Sequence, residues 1–209
     1  AILYRSNAQS RAIEEALLRA SIPYRIYGGL RFYERLEIKN AISYLRVIFN
    51  NSDNPSFERS ISNPTRGVGE KTLNKIRQIS KKYNISYTKA SAKLLDERLI
   101  SGRGASGLRD YLDLIIGCKQ FIEENSLSEL MELIIKESGL YAFHAKEPGE
   151  KGKTRTENLE ELITATKNFE QSIREEKSNI EIAESYLDII SLDSGDRQAS
   201  EYEDAAQLM

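Results

Sequence analysis

Apolar positions recur along most of this chain with the period of an α-helix, and only its two ends carry the alternation of strands. Ile2-Leu3-Tyr4 reads as a short buried strand, and residues 8–20 follow with Ala12, Ile13, Ala16 and Leu17 at helical spacing. Residues 23–27 alternate like a second strand and stop at Gly28-Gly29, a strong turn signal. This strand–helix–strand run is too short to be a whole α/β domain, so it is expected to be part of one. At the other end, residues 205–209 look like the beginning of another buried strand. The two end strands would pair in one sheet if the flanking α/β domain were complete.

Between them the pattern predicts helices only. Residues 34–49 form one, with Leu36, Ile38, Ile42, Leu45 and Ile48 on its apolar side, and Asn50 to Pro55 is a loop by composition. A short helix over 56–61 is broken by Pro64, and Gly67-Val68-Gly69 is a tight turn. A helix over 70–83 follows, with Leu73, Ile76 and Tyr83 expected to face inward. Further helices are predicted over 86–96, 106–124, 127–137, 156–172 and 180–190, and 191–200 reads as a polar loop. The 106–124 segment is the strongest, because Leu108, Tyr111, Leu112, Ile115 and Ile122 share one face. No internal repeat of solenoid period is visible.

Composition narrows the class. With 40% hydrophobic and 30% charged residues in 209, the chain can bury a core and reads as globular. No run of eighteen apolar residues occurs, so no membrane-spanning helix is expected. A single cysteine, Cys118, excludes an internal disulfide, and with the one histidine it cannot complete a zinc site. A reducing, cytoplasmic setting fits this. The net charge of −2 hides a segregation. Residues 64–93 hold eight bases (Arg66, Lys71, Lys75, Arg77, Lys81, Lys82, Lys89, Lys93) against the single acid Glu70. Residues 157–188 hold nine acids against Lys167, Arg174 and Lys177. Such blocks suit a polyanion on one face and solvent or a protein partner on another, or simply two solvated helix faces.

Three segments could carry chemistry. The first runs from Tyr4 to Arg11, where a strand enters a helix and open α/β sheets bind ligands. There Arg5 offers a fork for phosphate, and Asn7 can cap the helix or bond a phosphate or base edge; a capped helix with surface arginines is the plainer alternative. The second is Thr65-Arg66-Gly67-Val68-Gly69-Glu70-Lys71-Thr72. Two glycines let backbone N–H groups approach a phosphate, and the next helix presents its positive end there. Arg66, Lys71, Lys75 and the Thr72 hydroxyl could close around that phosphate, gripping a nucleic-acid backbone without reading sequence; a plain helical turn is the alternative. The third, Gly149 to Thr154, ends in the Gly-Lys-Thr of a nucleotide-binding loop. It lacks the required glycine, since position 147 is Glu, and no strand precedes it, so it is expected to be a flexible loop that binds no ATP but could touch DNA through Lys151, Lys153 and Arg155. His144 is expected in an exposed loop rather than in catalysis, and Cys118 in the core.

Several segments, taken in order, resemble one family. They are Ala1-Ile2-Leu3-Tyr4-Arg5-Ser6-Asn7 with Ala8-Gln9-Ser10-Arg11, Tyr24 to Phe32, Arg35-Leu36-Glu37-Ile38-Lys39 with Tyr44-Leu45-Arg46, Pro64 to Gly69, and Glu157-Asn158-Leu159-Glu160-Glu161-Leu162. Together they look like the stretch that separates the nucleotide-binding half from the late motifs in superfamily 1 DNA helicases of the UvrD, Rep and PcrA type. The chain stops where that family's Thr-Leu-His-Ser-Ala-Lys-Gly motif would be expected.

The resemblance implies a mainly α fold: a helical 2B-type subdomain inserted between the edges of an incomplete RecA-like α/β subdomain, 2A. Residues 1–27 would lead 2A, 28–200 would be 2B, and 201–209 would return to 2A. The parent would be an ATP-dependent 3′-to-5′ helicase of repair and replication, with DNA and possible repair or replication proteins as partners. By the same resemblance Arg5 and Asn7 match positions that touch single-stranded DNA. Thr65, Arg66, Gly67, Gly69, Lys71 and Thr72 match a turn that holds duplex ahead of the fork, and Lys39 and Arg46 are further duplex candidates. ATP and Mg belong to the parent: no P-loop, Mg-binding Asp-Glu pair or arginine finger is found here, so no cofactor, metal or catalytic residue is expected in this chain. Val68, Lys71, Asn40 and Ser62 depart from the family's usual Ile, Arg, Asp and Asn. Docking a partner, or the parent's own domains, through the acidic block is the competing reading.

Overall fold

The computed structural model describes residues 2, 7–20, 22, 24–26, 31–173, 177–194 and 206–208, with the side chains of some terminal positions left aside. It is mainly helical, as the periodicity predicts. Helix α1 (Asn7–Arg19) precedes strand β1 (Tyr24–Ile26), and a single 3-10 turn (Phe32–Glu34) leads into α2 (Leu36–Phe49). Then come α3 (Asn54–Ser62), α4 (Glu70–Tyr83), α5 (Tyr87–Asp96), α6 (Gly102–Phe121), α7 (Leu127–Glu137), α8 (Leu140–Ala145), α9 (Glu150–Ser172) and α10 (Asn179–Ser194). Strand β2 (Ala206–Leu208) closes the chain.

The two end strands do pair. β1 and β2 run parallel, with Tyr24 opposite Ala206, Arg25 opposite Gln207 and Ile26 opposite Leu208. A parallel pair needs a crossover connection, and here that connection is the helical body. Of the proposed strand at residues 2–4, Leu3 and Tyr4 lie outside the described residues, as do Arg5 and the Gly28-Gly29 turn.

Helix α2 is the centre. Ile38, Ala41, Ile42, Leu45, Val47 and Ile48 are buried, and so are Glu37, Asn40 and Ser43 on its other sides. α3, α6, α7 and α9 pack around it. Leu36, expected on the apolar face, is instead 45% exposed at the helix's first residue. Local chemistry sets the ends of the helices. Asp53 caps α3 by accepting from Ser56 N at 2.9 Å, with Pro55 in the first turn. Ser126 and Glu129 form a reciprocal capping box on α7.

Helix α3 begins at Asn54, inside the predicted 50–55 loop, and two helices begin four or more residues earlier than the pattern predicts. α6 starts at Gly102 rather than 106, and α9 starts at Glu150 rather than 156. The Gly149–Thr154 segment is therefore no flexible loop. Gly152 is buried, and a Cβ there would lie 2.3 Å from the Glu147 carbonyl oxygen and 2.8 Å from that of His144. The glycine lets the first turn of α9 press against the end of α8, a helix that the pattern missed.

A buried polar seam joins α1 to the helical body. Arg11 pairs with Glu161 of α9, and Glu14 accepts from Phe32 N at 3.0 Å. Arg35 donates to Ser10 Oγ at 2.8 Å and to Asn158 Oδ1 at 3.0 Å. Asn158 donates to Glu37 at 2.6 Å, and Arg155 Nε lies 3.6 Å from the same carboxylate. Arg155 also reaches Glu147 at 2.5 Å, whose Oε1 meets His144 Nδ1 at 2.6 Å. His144 is thus no exposed loop residue: it is 1% exposed, on α8, at the end of this relay.

Candidate nucleic-acid interface

The turn between α3 and α4 is built from below by one arginine. Arg66 points inward. Its guanidinium donates to the carbonyls of Pro64 (2.9 Å), Ser60 (3.3 Å) and Ser138 (2.6 Å). It also lies over the rings of Tyr44 and Tyr111, 5.4 and 5.8 Å from their centroids. The Tyr44 hydroxyl sits 2.6 Å from the Ser60 carbonyl and 2.7 Å from that of Asn63. Tyr111 meets Ser60 Oγ at 2.6 Å. Burial raises both phenols well above their ordinary range, so they remain neutral donors. Arg66, proposed from sequence as a phosphate ligand, is placed by the structure beneath the turn and not on it.

Glycines then bring the turn against α6. Gly67 has φ +74°, and a Cβ on it would lie 3.1 Å from Arg103 Cβ. On α6, a Cβ at Gly104 would come within 2.9 Å of Thr72 Oγ1, and one at Gly107 within 1.9 Å of the Arg66 carbonyl oxygen. No side chain larger than hydrogen fits between the turn and that helix at Gly107. Val68 is buried and pins the turn to the core.

What remains outside is a fixed polar rim. Thr65, Gly67, Gly69 and Lys71 are exposed and Thr72 is half-buried. Gly69 is the N-cap of α4 and makes no side-chain cap, so no side chain of the cap occupies the opening N–H groups, and the positive dipole end of the helix lies at exposed residues. Glu70, the acid that would oppose an anion here, is held by Arg77 at 2.6 Å, and Arg77 also takes Glu58 at 2.6 Å. Those hydrogen bonds, to Glu58 first and Glu70 second, raise the Arg77 pKa further, so it stays a cation. Arg103, exposed beside Gly67, is a cation that the sequence reading missed. Its signal was there in the Gly102-Arg103-Gly104 run, but only the glycine contacts show where that run packs.

The other sequence candidates fall elsewhere. Lys39 and Arg46 line a cleft of about 260 Å³ with Tyr33, Ser43, Ser56 and Arg59, which no residue of the 65–72 turn lines. Arg46 donates to Ser191 Oγ at 3.0 Å there. Asn7 opens α1, its side chain undescribed, and Arg5 is outside the described residues. Lys151, Lys153 and Arg155 are engaged with Glu147, Glu157 and again Glu147. Much of the acidic block also serves the fold: Glu161 holds Arg11, Glu160 accepts from Tyr141, and Glu170 from Leu127 N. Among the described residues no group of His, Cys, Asp and Glu gathers to hold a metal ion, and no helix is long and apolar enough to cross a membrane.

The mainly helical build agrees with the fold class that the helicase resemblance implies. The chain matches the UvrD-like helicase C-terminal domain over residues 1–209 and belongs to that family. Among relatives, it is 48% identical over its whole length to DNA helicase II of Escherichia coli (strain K12), covering 29% of that protein. It is 44% identical to DNA helicase II of Haemophilus influenzae, covering 28% of it. It is also 36% identical to the ATP-dependent DNA helicase PcrA of Bacillus subtilis, again over its whole length and 28% of the relative. The chain therefore spans less than a third of the length of these relatives.

Proposed function

We propose that this chain is the duplex-gripping and regulatory part of an ATP-dependent 3′-to-5′ DNA helicase of repair and replication. Residues 28–200 form its helical 2B-type subdomain, and residues 1–27 and 201–209 are the flanking edges of a RecA-like 2A subdomain. Thr65, Gly67, Gly69, Lys71 and Thr72 meet the sugar-phosphate backbone of duplex DNA ahead of the fork, with Arg103 beside them. Arg66 acts by holding the turn in shape. Arg5 and Asn7 meet single-stranded DNA, and Lys39 and Arg46 offer a further duplex contact from their own cleft. ATP and Mg act elsewhere in the longer protein, which works in the cytoplasm.

The observation that carries this reading is the uncapped start of α4: exposed, backed by the core, flanked by Lys71 and Arg103, with its one acid, Glu70, paired to Arg77. Such a site favours phosphate and carries no means of reading bases. Fluorescence anisotropy with a labelled forked DNA tests it. Binding should weaken steeply with salt, and Lys71→Glu should lower affinity while reducing the salt slope by about 1. Unchanged binding by Lys71→Glu would remove the turn from the interface.

A further inference from the structure

The basic block of residues 64–93 is not one undivided charge. The structure commits four of its eight cations: Arg66 to carbonyls, Lys75 to the Leu99 carbonyl at 2.8 Å, Arg77 to Glu58 and Glu70, and Lys93 to Glu97. Lys71, Lys81, Lys82 and Lys89 are exposed and make no ion pair among the described residues. At 3.6 residues per turn, Lys71, Lys75, Gln78 and Lys82 fall within about 60° of one another around α4. Leu73, Ile76 and Ser80, the buried positions, lie on the opposite side. The outer face of α4 thus lines up three lysines, of which Lys71 and Lys82, about 16 Å apart at 1.5 Å per residue, are exposed and uncommitted, with Lys75 and Gln78 between them.

The line ends at an aromatic ring with two cations on it. Tyr83 was expected to face inward, but it is 45% exposed at the last residue of α4, where the chain turns left-handed at Asn84. Lys82 Nζ lies 5.1 Å and Lys93 Nζ 4.6 Å from its ring centroid. The ring holds both ammonium groups by cation–π attraction. Glu97 answers Lys93, with Asp96 close by, and among the described residues no carboxylate pairs with Lys82. One turn before Lys93 on α5, Lys89 adds another exposed charge to the same side.

We propose that the outer face of α4, from Lys71 to Lys82 and Tyr83, together with Lys89 of α5, is a second contact surface for the DNA backbone, continuing from the 67–72 turn along the duplex. A phosphate near Tyr83 gives Lys82 the anionic partner that Lys93 already has in Glu97. The 16 Å run matches about five base pairs of duplex at 3.4 Å each. This inference rests on the duplex-binding reading of the turn and extends it away from the fork.

The test uses the whole chain and two forked hairpin DNAs, one with a duplex arm too short to pass the turn and one longer by the length of the α4 face. The Lys82→Gln/Lys89→Gln double variant alters only exposed side chains, and thermal unfolding checks that it folds as the unaltered chain does. It should bind the long arm about 3- to 10-fold more weakly, with a salt slope lower by about 2, and bind the short arm unchanged. Lys71→Glu should weaken both. If the double variant binds the long arm like the unaltered chain while Lys71→Glu loses affinity, the second surface is wrong and the turn stands. If neither DNA binds the unaltered chain at all, the duplex-binding reading fails and takes the second surface with it.

Discussion

The Arg66 guanidinium donates a 2.6 Å hydrogen bond to the backbone carbonyl of Ser138, 72 residues further along the chain. That bond ties the α3–α4 turn to the end of α7, and the same group serves two more carbonyls and two tyrosine rings. Replacing Arg66 with Ala leaves carbonyls without donors beneath the turn, and a hydrogen bond from a charged group contributes about 1.5–3 kcal/mol. Urea unfolding of Arg66→Ala should show a loss at least that large. Arg66→Lys should recover little of it, because an ammonium lacks the planar fork. A midpoint unchanged in Arg66→Ala would contradict the keystone role.

Gly107 and Gly69 should respond very unequally to alanine. At Gly107 the added methyl would sit 1.9 Å from the Arg66 carbonyl oxygen, whereas at Gly69 nothing lies within 4 Å. Overpacking of that kind costs about 1–3 kcal/mol or more, while an N-cap Gly→Ala change costs no more than about 1 kcal/mol. Unfolding curves of the two variants, measured side by side, decide this; equal losses would mean the turn does not press on α6 as described.

Acid should weaken the α8–α9 joint through Glu147. Its hydrogen bond with His144, and then Arg155, holds its carboxyl below the ordinary value of 4.5. A carboxylate with a depressed folded value stabilises the fold fully above its unfolded value and loses that contribution as pH falls through the folded one. The unfolding free energy should therefore drop as pH falls below about 4.5, and Glu147→Gln should flatten that part of the profile. Parallel profiles for the two proteins would show that Glu147 is not linked to folding.

Cys118 should be chemically silent in the folded chain. It is 1% exposed on the inner face of α6, and burial pushes its thiol up to about 12. Since the thiolate is the reactive form, a maleimide reagent should label it only as fast as the chain opens, and rapidly in denaturant. Prompt labelling of the native protein would place the thiol at the surface instead.

The helical period was legible because α4, α6 and α7 each bury one coherent stripe; residues 70–83 and 127–137 are bounded in the structure as the pattern bounds them. The starts of α6 and α9 were not legible. Gly102, Gly104, Gly107 and Gly152 lower helix propensity, and three of these are there for tertiary reasons: Gly104 and Gly107 for the turn, Gly152 for the end of α8. A list of charges likewise cannot say which cations meet carbonyls and which meet water. Arg66 and Lys71 look alike in the sequence; one is committed inside, the other is outside. The burial of His144 was hidden for the same reason: Glu147 is its near neighbour in sequence, but Arg155 joins the pair only through the packing of α9 on α8.

The parallel pairing of β1 with β2 has a geometric corollary. The chain leaves β1 at Ile26 and enters β2 at Ala206, which is opposite Tyr24. With neighbouring strands about 4.8 Å apart and about 3.3 Å per residue, those two points are only about 8 Å from each other. The helical body is therefore suspended like a bag drawn closed at the neck, its two stems side by side. A short flexible bridge across the neck would seal it into a ring, or let it be cut from this sheet and sewn onto another that offers two adjacent parallel strands.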